Sequence, residues 1–109
     1  TLNKDLRKTG YDGIDIEGNK VQIKYNGGTK KNINLGNPKK YDYVYVVLGP
    51  KSCLRSKKHK EDFLIFKFDS STVIRKYEVK PKKQTKNKKT FSCGKLEFKR
   101  EPNGKFNLK

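Results

Sequence analysis

Asp15, Gln22 and Lys24 are the residues of this chain whose types and spacing could do chemistry together. A carboxylate, a carboxamide oxygen and an ammonium held side by side can bind a hard divalent cation and a water next to a phosphate. All three fall in the segment Gly10-Tyr11-Asp12-Gly13-Ile14-Asp15-Ile16-Glu17-Gly18-Asn19-Lys20-Val21-Gln22-Ile23-Lys24-Tyr25. Gly18-Asn19 has the composition of a two-residue hairpin loop. A turn there sets Glu17 opposite Lys20, Ile16 opposite Val21 and Asp15 opposite Gln22. Side chains alternate between faces with period 2. Asp15, Gln22 and Lys24 then share one face, and Ile14, Ile16, Val21 and Ile23 share the other, which is expected to enter a core. Asp15, Gln22 and the backbone carbonyl of Ile23 are the candidate metal ligands, and Lys24 is the candidate catalytic lysine. A neutral Gln leaves such a site short of negative charge, so the substrate phosphate is expected to complete the shell.

Plainer readings exist for each residue. Asp15 facing Gln22 is also what an ordinary exposed polar pair looks like. Asp12 precedes Gly13 and reads first as a turn residue facing away from Lys24, and second as an additional acid. Glu17 sits at the hairpin tip, where it pairs with Lys20 or assists a second ion. His59 lies among Arg55, Lys57, Lys58 and Lys60, and reads as a solvent-facing phosphate contact before a catalytic base. Asp42 reads as a cap or ion-pair partner at the start of a strand.

The 109 residues suffice for one small domain. With 28 Lys and Arg against 11 Asp and Glu, the formal net charge is +17, which calls for a polyanionic partner. Nucleic acid leads; an anionic membrane is disfavoured because no basic amphipathic helix is evident. A generally lysine-rich proteome is the bland source of the same charge. Cys53 and Cys93 are too few and too far apart for a zinc site. Free thiols in a reducing cytoplasm are expected, with a disulfide between them as the alternative. No apolar run approaches a membrane span. The chain starts at Thr1 and contains no Met, which reads as a fragment or as loss of N-terminal residues.

The elements that must position the candidate site follow in order. Residues 1–10 read as the last turns of a helix capped by Gly10. The hairpin spans 12–25, and 26–40 is a polar, basic loop. Tyr41 to Leu48 is near-continuously apolar and should be the central strand. Phe63 to Phe68 is a further strand. Ser70-Ser71 could cap a short helix through Tyr77, with Val73, Ile74 and Tyr77 inward. The division is a core at 1–79, a Lys-rich linker or arm at 80–90, and a C-terminal segment at 91–109 packing on the core. That last segment has Phe91, Leu96, Phe98 and Phe106 to bury.

The pattern Tyr-Asp-Gly-Ile-Asp, a short turn, then Val-Gln-Ile-Lys, followed by the strand opened by Tyr41-Asp42-Tyr43, resembles the PD-(D/E)xK nuclease superfamily in its Gln-bearing variant. The resemblance covers residue 5 to about residue 75. It implies a restriction-endonuclease-like α/β (α+β) core: a mixed, mainly antiparallel sheet of about four strands with flanking helices. It also implies a DNA endonuclease dependent on Mg2+ or Mn2+, as in restriction and related defence systems, with Asp15, Gln22 and Lys24 catalytic. Family members often add a Glu from a preceding helix; here only Asp5 lies upstream. DNA contact is expected from Lys30, Lys31, Lys39, Lys40, Arg55, Lys57, Lys58, Lys60, Lys82 and Lys83, with Tyr25 and Asn26 as candidates for base readout. One active site per chain means that cutting both strands needs a homodimer, a partner subunit or two nicks. The alternatives are a non-catalytic nucleic-acid-binding module and an inactive nuclease-fold subunit of a larger complex.

Overall fold

The computed structural model describes residues 11–79 and 89–108. The expected N-terminal helix and most of the Lys-rich arm, including Lys82 and Lys83, lie outside the described residues. β1 (Gly13–Ile14), β2 (Lys20–Asn26), β4 (Tyr43–Leu48), β5 (Phe63–Asp69) and β8 (Gly104–Phe106) form a five-stranded sheet in the order β1-β2-β4-β5-β8. The β2–β4 pair is parallel and the other pairs are antiparallel. β3 (Asn32–Asn34), β6 (Glu78–Val79) and β7 (Thr90–Gly94) form a second sheet in the order β3-β7-β6. The mixed, mainly antiparallel α+β expectation therefore holds, with five strands in the main sheet. Flanking helices are corrected: among the described residues the one α-helix is α1 (Ser70–Lys76), and much of the cover on the main sheet is the second sheet.

The paired registers fix the two faces of the main sheet. Gln22, Val44 and Phe68 lie in one row, Lys24, Val46 and Phe66 in the next, and Asn26, Leu48 and Leu64 in the third. Val44, Val46, Leu48, Leu64 and Phe66 are wholly buried, so this is the inner face. Ile33 and Leu35 from the β3 strand and its exit, Phe91 and Cys93 from β7, and Val73 from α1 close over it. Phe98 meets Phe66 and Phe68 edge-on. Burying these side chains supplies the main driving force for folding. The outer face carries Ile23, Tyr25, Tyr43, Tyr45, Val47, Ile65 and Lys67, with the Lys67 ammonium 4.0 Å from the Tyr43 ring centroid.

Local chemistry explains α1. Asp69, rather than Ser70 or Ser71, is its N-cap, accepting the Thr72 N–H at 2.8 Å. Val73 and Tyr77 are buried as expected, whereas Ile74 is exposed. In the C-terminal segment Phe91 and Phe98 are buried, but Leu96 is exposed and Phe106 stacks on Phe63 at the sheet edge. Both cysteines are free thiols, Cys53 exposed and Cys93 buried. Among the described residues no helix is long and apolar enough to cross a membrane.

Candidate functional site

The hairpin turns in a different register from the expected one. Gly13 pairs with Val21 and Ile14 with Lys20, so the connection is a five-residue loop from Asp15 to Asn19. The cause is the Asp15 carboxylate. Its Oδ1 accepts the N–H groups of Glu17 at 2.9 Å and Asn19 at 2.8 Å, and its Oδ2 accepts the Asn19 side-chain amide at 3.2 Å. An Asp that satisfies loop amides in this way makes the turn around itself. Gly18 takes a positive φ of 85° in this loop. These bonds, led by that from the Asn19 backbone, hold the Asp15 carboxyl below its ordinary pKa. Asp15 is a turn residue and does not face Gln22. Glu17 lies in this exposed loop as well, and Ile16 is fully exposed rather than paired with Val21.

Asp12 takes the position expected of Asp15. Its backbone N–H donates to Val21 O, and its Oδ2 accepts the Gln22 Nε2 at 3.1 Å and the Ile23 N–H at 2.6 Å. The residue read first as a turn former is thus the acid beside Gln22. The register departs by three positions, an odd number, from the one the Gly18-Asn19 signal implies, which changes every cross-strand partner.

Gln22 and Lys24 do share a face, but it is the inner one. Their row continues into Val44 and Val46 through the parallel pairing with β4. Of the four residues expected to enter the core from the opposite side, Val21 is buried, whereas Ile14, Ile16 and Ile23 are exposed. Gly36, held at φ 74°, lies against the pair: a Cβ there would stand 3.6 Å from Lys24 Cε, 3.8 Å from Tyr41 Cε2 and 3.9 Å from Gln22 Cγ. Burial pushes the Tyr41 phenol above its ordinary pKa. It donates to Leu35 O at 2.7 Å, so it braces this wall and has no proton to take up. Asp42 anchors the other edge of β2, exchanging backbone and side-chain bonds with Lys20 at 2.8 Å.

The expected nucleic-acid contacts divide. Lys30, Lys31, Lys39, Lys40, Lys57 and Lys60 are exposed. Lys58 is exposed and pairs with Glu101 at 3.0 Å. Arg55 turns inward instead: its guanidinium donates to the carbonyls of Gly49, Asp62, His59 and Glu61 at 2.5–3.2 Å. It organises its own loop. His59 also faces inward, with a buried Nε2 that has no hydrogen-bond partner. Asn26 is buried, receiving the Ser52 hydroxyl and donating to Lys30 O, so it cannot read bases. Tyr25 lies on the outer face, away from Gln22 and Lys24.

Asp12, Gln22 and Ile23 offer hard oxygen donors suited to Mg2+ or Mn2+. An extended residue directs its N–H and C=O to the same strand edge, so the Ile23 carbonyl shares the edge that Asp12 occupies. The Gln22 amide presents nitrogen to Asp12, as it must opposite a bare carboxylate; a half-turn of its last torsion would present oxygen. Among the described residues, three or more His, Cys, Asp or Glu side chains nowhere gather into a metal-binding group. Gly36 and Asn34 lie in 26–40, which the sequence marks only as a polar, basic loop, although Asn32–Asn34 forms β3. Compared with known proteins, the chain matches no family model, no curated protein and no solved structure.

Proposed function

We propose that this chain is a metal-dependent DNA endonuclease domain of the PD-(D/E)xK kind, in which Asp12 rather than Asp15 is the acid. The observation that carries the reading is the Asp12 carboxylate bonded to both Gln22 and Ile23, with Lys24 next along the face of Gln22. Asp12 and Gln22, with the Ile23 carbonyl, would hold the cation. Bound Mg2+ or Mn2+ would polarise the scissile phosphate and acidify a water. Lys24 stands one strand repeat beyond Gln22, about 7 Å along the chain. Its ammonium would orient the attacking water or stabilise charge building on the phosphate. Gly36 lies beside that side chain, where even an added Cβ would meet Lys24 Cε at an ordinary contact distance of 3.6 Å. The formal charge of +17 would hold the polyanion against the domain. A restriction-like core and a role in defence belong to the same proposal, as does a homodimer or partner subunit for double-strand cuts.

Supercoiled plasmid incubated with Mg2+ or Mn2+ tests this, with wild type beside Asp12→Ala and Lys24→Ala. Cutting by wild type alone supports the reading. Salt-sensitive DNA binding with no cutting identifies a non-catalytic binding module or scaffold subunit instead. Equal cutting by all three sinks the site assignment.

A further inference from the structure

We infer that the cleft beside Gly36 holds the sugar–phosphate backbone of a nucleic-acid strand; this rests on the nuclease reading above and adds the track along which its substrate runs. The cleft has a volume of about 560 Å³ and lies between the loop from Asn34 to Lys39 and the start of β7, where Lys89 and Thr90 form the far side. Gly36, which it includes, is the residue whose backbone lies against Gln22 and Lys24.

Two carboxamides of this cleft have their oxygens tied to backbone amides. Asn34 Oδ1 accepts the Gly36 N–H at 2.7 Å, and Asn37 Oδ1 accepts the Lys39 N–H at 3.0 Å. Each carboxamide oxygen is thereby tied to backbone, which leaves each Nδ2 directed away from it as a donor. Lys39 and Lys89 add ammonium groups, and no carboxylate is among the described residues lining the cleft. Asn34, Asn37, Lys39, Lys89 and Thr90 are all exposed. Donors and cations along a groove, without opposing negative charge, are what a phosphodiester backbone requires. A single inorganic phosphate shares that chemistry, so the test separates the two.

Binding of a fluorescein-labelled DNA duplex is measured in EDTA, where no cutting intervenes. Asn34→Asp with Asn37→Asp keeps both backbone bonds and therefore the loop, but replaces two donors with negative charge. Asn103→Asp with Asn107→Asp is the control: those Oδ1 atoms likewise accept backbone N–H groups, from Lys67 and Asp62, and the charge change is the same. The cleft pair is expected to weaken binding about tenfold or more, and the control pair less than about twofold. Lys39→Ala should lower the slope of log affinity against log salt by about 0.9. Equal losses for the two pairs, no loss for the cleft pair, or displacement of the duplex by inorganic phosphate at matched ionic strength would overturn the inference. Binding without plasmid cutting removes the nuclease reading and leaves the cleft to be judged by these affinities. Cutting by wild type, with the cleft pair binding normally, removes the cleft alone.

Discussion

The Asp12 carboxylate receives the Gln22 side-chain amide at 3.1 Å across a hairpin whose loop is closed by a different acid, Asp15. The two aspartates therefore separate in their effects. Asp12→Asn should abolish metal-dependent cutting, because it removes the charged oxygen next to Gln22 and Ile23, while the backbone bond from Asp12 to Val21 remains. Asp15→Ala should retain cutting and lower the melting temperature, since it unties the Glu17 and Asn19 amides. Plasmid cleavage and circular dichroism melts on both variants check this. Loss of cutting with Asp15→Ala at full fold would return the catalytic role to Asp15.

Acid stability carries the same signature. The Asp15 carboxyl is lowered chiefly by the Asn19 backbone bond, and Asp69 by its bonds to Thr72. Both start from an ordinary value of 3.8. A depressed folded pKa means that the unfolded chain binds protons first as pH falls. The stabilisation is thus complete above the ordinary value and is lost as pH drops through the folded values. Melting temperature followed from neutral pH into this acid range should fall less steeply for Asp15→Asn than for wild type. Parallel curves would show that the loop bonds add nothing.

Arg55 tests structure against binding. Arg55→Ala leaves the carbonyls of Gly49, His59, Glu61 and Asp62 without their shared donor. A loss of roughly 1–3 kcal/mol is expected, visible in denaturant unfolding. The salt slope of DNA binding should not change, because the guanidinium is committed within the loop. A slope reduced by about one unit would make Arg55 a phosphate contact after all.

Thiol chemistry should split the cysteines. Burial, aided by Glu97, pushes the Cys93 thiol up to about 12, whereas Cys53 is exposed and donates to Lys30 O at 3.1 Å. Thiolate is the reactive form. One equivalent of an aromatic disulfide reagent should react in the folded protein, at Cys53, and the second only at the rate of unfolding. Two fast equivalents would contradict the packing around Ile33 and Phe91.

What was legible in the sequence was what local pattern encodes. The run from Tyr43 to Leu48 is β-branched and aromatic, and it became the middle strand of the main sheet. Gln22 and Lys24 share one face, as expected, because alternation is a property of the strand itself. Which way that face points was not legible. It is set by parallel pairing with β4, and nothing within residues 12–25 encodes a partner about twenty residues away. The hairpin register was not legible because Gly18-Asn19 favours a tight turn by composition, while the competing signal is a single side chain, Asp15, with amides in reach. The inward turn of Arg55 and His59 was not legible for a related reason: in so basic a loop, charge alone does not say which cation is drawn to backbone carbonyls.

The Tyr25 ring gives a final test of close packing. It lies over Gly27 and Gly49, where an added Cβ at Gly27 would stand 2.5 Å from the Tyr25 hydroxyl and one at Gly49 nearer still. Gly49→Ala must therefore move the ring. Gly49 itself is buried, but Tyr25 is 59% exposed, so the ring can swing outward and the loss should stay at about 1 kcal/mol, the centre of the range for point changes. The ring resonances of Tyr25 should shift in the variant. Truncating Tyr25 to Ala should then make Gly49→Ala nearly neutral, a coupling that a double-mutant cycle reads directly. A loss that persists undiminished in the Tyr25→Ala background would place the constraint in the Gly49 backbone, whose N–H donates to Asn26 O at 2.9 Å, and not in the ring.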